Sequence, residues 1–97
     1  MKLTRVGHRI TATSAGQWAG EIAFPAVPGR EGHVVIERTF VCPQFRHHGL
    51  GAKLIRQAVA LAKQEHWTVK LMCPFAKMEF SRHHDYNDCL LAADRLD

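Results

Sequence analysis

Ten residues in mid-chain, Pro43-Gln44-Phe45-Arg46-His47-His48-Gly49-Leu50-Gly51-Ala52, combine cations with glycines. The glycines fall where a helical pattern begins, although glycine is a poor residue for a first helical turn. The choice makes sense if a ligand must come close to the backbone. Free N–H groups of a first turn point at such a ligand, and the helix dipole favours negative charge there. Arg46 brings a fork of donors, and His47 and His48 bring more. The ligand implied is a phosphate or pyrophosphate. The competing reading is that Gly49 and Gly51 only relieve crowding at a helix start. The loop lacks the Gly-Lys-Ser/Thr ending of a Walker A motif, and it lacks the spacing of a dinucleotide fingerprint.

Such a loop needs a strand to deliver it and a helix to receive it. Gly32 to Val41 is rich in β-branched residues and reads as the strongest strand, stopped by Pro43. From Gly49 the period changes. Leu50, Leu54, Ala58 and Leu61, widened by Ile55, Val59 and Ala62, predict a helix to about Glu65 or His66. Trp67 to Met72 reads as a second strong strand, ended by Pro74. Upstream, Val6 to Ala12 and Trp18 to Phe24 read as strands, and Pro25 to Gly29 as a breaker. Downstream, Phe75 to Arg82 and Asp85 to Leu96 read as short helices, the latter anchored by Leu90, Leu91 and Leu96. The expected fold class is α/β (α+β by some schemes), one domain over residues 1–97, with a mixed sheet and a main helix after the loop.

The 97 residues suffice for one domain and leave no bulk for a deep enclosed cavity, so a ligand must lie in a groove. Hydrophobic residues make up 46% and charged residues 23%, a globular composition. No apolar run is long enough to span a membrane, and the start leads into no apolar signal segment. The three cysteines have unlike neighbourhoods, which argues against a disulfide scaffold and for a reducing, cytoplasmic setting. The net charge of +4 suits anionic partners, but the positives are spread along the chain. No basic stripe or regular stacking aromatics favour nucleic acid. His47 with His48, and His83 with His84 and Asp85, lack metal-ligand spacing, so no metal site is expected.

Arg46-His47-His48-Gly49-Leu50-Gly51 resembles the acetyl-CoA pyrophosphate loop of the Gcn5-related N-acetyltransferase (GNAT) superfamily, Arg/Gln-x-x-Gly-x-Gly/Ala. A wider set resembles its very small, single-domain, YjdJ-like branch. That set is Arg38-Thr39-Phe40-Val41, Pro43, the loop, Cys73-Pro74-Phe75, and Ser81-Arg82-His83-His84-Asp85-Tyr86-Asn87-Asp88. The resemblance covers roughly Gly32 to Leu91. It departs at His47, where glycine is usual, and at His84-Asp85, where Pro-Glu is usual. His47 is expected to take an ordinary right-handed backbone conformation unless strain is tolerated there.

The resemblance implies acetyl-CoA as cofactor, with its pantetheine arm in an opening between two parallel strands. Phe40, Val41 and Cys42 would contact the arm, and Arg46 through Ala52 (Arg46, His47, His48, Gly49, Leu50, Gly51, Ala52) would hold the pyrophosphate. The implied reaction is N-acetylation of an amine on a small molecule or protein. Glu37 is expected to share a strand face with Thr39, where it would deprotonate the amine; a solvated carboxylate is the alternative. Tyr86 would protonate the leaving sulfur, or else serve as a core-edge tyrosine. Cys73 would lie near the acyl end, either accepting the acyl group or lining the pocket. Direct transfer is favoured. Cys89, beside Leu90 and Leu91, reads as core. Only about thirty residues precede the central strand, so the acceptor groove is expected to be open or completed by a partner. A non-catalytic acyl-CoA sensor or interaction module is the competing function. Trp18 or Phe24 is a candidate dimer contact in a monomer or weak homodimer.

Overall fold

A turn at Gly7 and His8 joins the first two strands, β1 (Lys2–Val6) and β2 (Arg9–Ser14). Gly7 has φ of 60°, a left-handed value that costs glycine little. The expected strand Val6 to Ala12 is therefore two strands, because the chain reverses inside it. A second reversal at Ala15 and Gly16 leads into β3 (Gln17–Ala23), antiparallel to β2. The structure, a computed structural model, describes residues 1–91.

The expected central strand Gly32 to Val41 is also divided, into β4 (His33–Ile36) and β5 (Arg38–Val41). Glu37 N–H donates to Ala23 O (3.1 Å), while the ladder pairs Ala23 with Arg38. Both residues thus oppose one, which is a β-bulge, and bulges bend the strand that carries them. Upstream of it, β4 runs parallel to β6 (Thr68–Leu71), and Val35 N–H donates to Pro25 O (2.9 Å). Downstream, β5 runs antiparallel to β3. Ile36 O accepts from both Met72 N–H (3.1 Å) and Cys73 N–H (3.2 Å). That carbonyl marks where the parallel strands part, since β5 pairs on its β3 side alone in the sheet. The strands thus form a four-stranded antiparallel sheet, β1-β2-β3-β5, and a two-stranded parallel one, β4-β6, joined through the bulge; the mix of pairings follows the expected class.

The parallel pair needs a crossover, and α1 (Leu50–Glu65) supplies it. Leu50, Leu54, Ile55, Ala58, Val59 and Ala62 are buried and form the predicted stripe, packed on β3 and β5. Each large aliphatic side chain buried in this way contributes about 1.5–3 kcal/mol. His66 ends the helix in a left-handed conformation, its N–H donating to Ala62 O and Lys63 O. A second helix, α2 (Pro74–Arg82), begins at the proline that stops β6.

Over its described residues, the expected helix Asp85 to Leu96 takes another form. A 3-10 segment spans His84–Cys89, and Leu90 then turns extended and bridges Val69 in parallel. Leu90 is buried there. Leu96 lies outside the described residues. Phe24, Phe80, Ile22, Ile36, Leu54, Ile55 and Val69 form the centre of the core. Phe24 is thus no dimer contact, whereas Trp18 stays 39% exposed and stacks on Phe40 at 5.5 Å.

Candidate functional site

A groove of about 570 Å³ opens between β5, the loop before α1 and one face of α2, and no β6 residue is among its described lining residues. Its first wall is a free strand edge. Cys42 N–H donates to Ala19 O (2.8 Å), so the polar groups of Cys42 and Phe40 turn towards β3. Those of Thr39 and Val41 turn the other way, into the opening. Arg46 Nε donates to Val41 O (2.9 Å) and so takes one position on that edge. The same guanidinium lies 5.8 Å from the Phe40 ring centre.

The second wall is the start of α1. Gly49 is its N-cap, with φ of 79° and no side chain to bond the first amides. The first helical bond is Lys53 N–H to Gly49 O (3.0 Å). The amides of Leu50, Gly51 and Ala52 therefore have no partner within the helix. No acidic side chain stands in the first turn. These are the conditions for holding an anion.

His47 has φ of 68°, not the right-handed value expected of it. The chain must double back between the Pro43–Phe45 turn and α1, and a left-handed residue does this. A non-glycine residue there costs about 1–2 kcal/mol.

The third wall is α2. Phe75, Met78, Glu79 and Arg82 all line the groove, at helical spacing i, i+3, i+4 and i+7. That periodicity is visible in the sequence and was the available signal for Glu79. Glu79 is the sole carboxylate among the described lining residues, and its side chain is 7% exposed. Arg82 Nη1 lies 3.9 Å and His83 Nε2 3.6 Å from its oxygens. Across the groove Thr39 Oγ1 is buried with no hydrogen-bond partner.

Phe40, Val41, Arg46, His47, Gly49, Leu50, Gly51 and Ala52 all line this groove. Cys42 and His48 do not; the Cys42 thiol donates instead to Trp18 O (3.4 Å), and His48 is exposed. Glu37 is exposed at the bulge and does not share a groove face with Thr39, because the extra residue resets the alternation. Cys73 is buried at the fork of the strands as the N-cap of α2. Tyr86 is buried against Phe80 (5.2 Å) and stacked on His83 (4.9 Å), away from the groove lining. Cys89 is core, as expected; burial pushes its thiol up to about 11. Gly20 lets β3 approach β5, since a Cβ there would run into the Phe40 carbonyl.

Among the described residues, no group of three or more His, Cys, Asp or Glu is arranged to hold a metal ion. No helix among them is long and apolar enough to cross a membrane.

No curated protein matches the chain. Solved structures do. A GCN5-like protein from Staphylococcus aureus superposes with a TM-score of 0.73 at 21% identity, over 93% of this chain and 87% of its own. A ribosomal-protein-alanine N-acetyltransferase from Brucella melitensis biovar Abortus gives 0.62 at 18% identity, over 89% and 62%. A predicted acetyltransferase from Clostridium acetobutylicum, solved with acetyl-CoA, gives 0.57 at 17% identity, over 77% and 55%. The chain thus spans less than two thirds of the latter two. At these identities the likeness concerns the fold. The family model for GCN5-related N-acetyl-transferases matches residues 9–89, which include every strand from β2 to β6, the loop and both helices. A match over that length, joined to the splayed strands and the glycine loop, places the chain in the GCN5-related N-acetyltransferase family.

Proposed function

We propose that the chain is an acyl-CoA-dependent acyltransferase of the N-acetyltransferase type, with acetyl-CoA as donor and an amine as acceptor. The observation that carries this is one groove joining an uncapped helix N-terminus to an open strand edge. Acetyl-CoA has a pyrophosphate and an amide-bearing arm, and the groove offers a partner for each. The amides of Leu50, Gly51 and Ala52, with His47 and Arg46, suit the pyrophosphate. The backbone groups of Thr39 and Val41 suit the arm, with Phe40 alongside and Cys42 at the strand end. His48 is exposed beside the loop and adds positive charge when protonated.

Bound acetyl-CoA supplies the activated acyl group as a thioester. The chain would position it and the amine for direct attack. Burial of Cys73 off the groove wall supports direct transfer over an acyl-cysteine route. The exposure of Glu37 leaves it a base through water only, and the burial of Tyr86 makes it a poor proton donor to the groove without movement. The resemblance to the very small branch of the superfamily is part of this proposal, as is a cytoplasmic setting.

Calorimetric titration with acetyl-CoA, followed by CoA release with a mixture of primary amines, tests the reading. Saturable binding and amine-dependent release support it. No binding at millimolar acetyl-CoA overturns it. Binding without release under any amine favours the CoA-binding module.

A further inference from the structure

We infer that a second cleft, over β4 and β6, binds a small phosphomonoester. It shares no described lining residue with the groove proposed for acetyl-CoA, and the inference does not depend on that function. The cleft measures about 250 Å³. Pockets for drug-sized ligands span about 300–1,000 Å³, so this one suits a smaller molecule. Arg30 from the turn before β4, His33 from β4 and Lys70 from β6 all line it. No carboxylate is among its described lining residues, and Arg30 and Lys70 make no ion pair among the described residues. Glu31, next along the chain, is exposed and outside the lining.

Strand register brings these groups together. The parallel ladder pairs His33 with Thr68 and Val35 with Lys70. Residues two apart share a face, so these four form one patch, while Val34 and Val69 between them are buried in the core. His33 and Lys70 are diagonal neighbours, roughly 8 Å apart at Cα, a gap that a lysine stem and one phosphate close. Arg30 is tied to the same patch. His33 N–H donates to Arg30 O (3.2 Å), Val27 N–H to His33 O (2.9 Å) and Thr68 N–H to Gly32 O (2.8 Å). The turn is thus held before any ligand arrives.

Arg30 offers a planar fork, Lys70 a point charge, and His33 and Thr68 a further donor each. A phosphomonoester carries a charge of about −1.5 to −2 and three acceptor oxygens, which engage this set. A carboxylate has one charge and two oxygens and leaves donors unused. Cations gathered without a counter-ion repel one another, and a dianion relieves this. Val27, Val35 and Leu91 give the cleft an apolar wall, which suits a short alkyl stem on the phosphate.

The probe is n-propyl phosphate, with inorganic phosphate and sodium acetate alongside at matched ionic strength. Each is titrated into the full chain and followed by amide chemical shifts. Saturable shifts at Arg30, His33, Thr68 and Lys70 are expected with both phosphates, and n-propyl phosphate should bind several-fold tighter. Arg30→Gln and Lys70→Gln should each weaken both about tenfold. Both residues are exposed, and the remaining amide shifts check that the fold is kept. Arg56→Gln, which removes an exposed charge on α1, should change neither affinity. Shifts at Leu50, Gly51 and Ala52 report phosphate at the first turn of α1 and should be untouched by Lys70→Gln. Equal shifts with acetate, shifts confined to α1, or equal losses in Arg56→Gln and Arg30→Gln would each overturn the site. Inorganic phosphate binding as tightly as n-propyl phosphate would overturn the phosphomonoester assignment. Failure of acetyl-CoA to bind would remove the proposed function and leave this test standing.

Discussion

The ring of Phe75 lies against the backbone of Gly51, so that a Cβ there would stand 2.9 Å from the ring's Cε2 and Cζ. Glycine in the first turn of α1 thus admits a side chain from α2 as well as any ligand. Alanine at 51 gains about 0.8–1 kcal/mol in helix propensity. The ring takes back part or all of it. Gly51→Ala should therefore stabilise a Phe75→Ala background by about 1 kcal/mol more than the unsubstituted one. Urea unfolding of the four variants measures the coupling. Equal effects in both backgrounds would show that the ring does not press on this turn.

His47 holds a left-handed conformation in the loop. His47→Gly should raise stability by about 1 kcal/mol, or ~4–8 °C in Tm for a domain of this size. Thermal unfolding checks it. A fall in Tm would mean that the imidazole makes contacts outweighing the strain.

Arg46 occupies the Val41 carbonyl on the edge proposed for the pantetheine arm. Arg46→Ala should weaken acetyl-CoA about tenfold by removing a charged donor from the pyrophosphate. It should leave pantetheine, which lacks that group, bound equally or more tightly. Parallel titrations separate the two. An equal loss for both ligands would place Arg46 in a purely structural role.

Burial raises the Cys89 thiol from 9.0 to about 11 in the fold. Between these values the unfolded chain gives up the proton while the folded chain keeps it. Stability should therefore be unaffected by this group below 9.0 and fall as pH rises towards about 11. Cys89→Ala should flatten that slope in urea unfolding. A slope unchanged by the substitution would assign it to other groups. Thiol labelling of the native protein should likewise reach half-buried Cys42 before Cys89.

Much of this architecture can be read along the chain, and the exceptions share a cause. The stripe from Leu50 to Ala62 defines α1, because helical period and burial coincide there. Gly49 and Gly51 mark the loop, because few other uses place glycine at a helix start. The bulge at Glu37 is hidden, because one extra residue in a β-rich run changes no local preference. That single residue moves Glu37 off the groove. Leu90 looks helical beside Leu91, and only the tertiary position of Val69 makes it extended. Glu79 resembles any helical carboxylate until α2 is packed against the opening.

On the proposed function, one groove binds acetyl-CoA through the first turn of α1 and the open edge of β5. Amide chemical-shift mapping during an acetyl-CoA titration tests it most directly. Saturable shifts centred on Leu50, Gly51 and Ala52 and on Thr39 and Val41 are expected. Shifts confined to other surfaces, or none at millimolar acetyl-CoA, would contradict it.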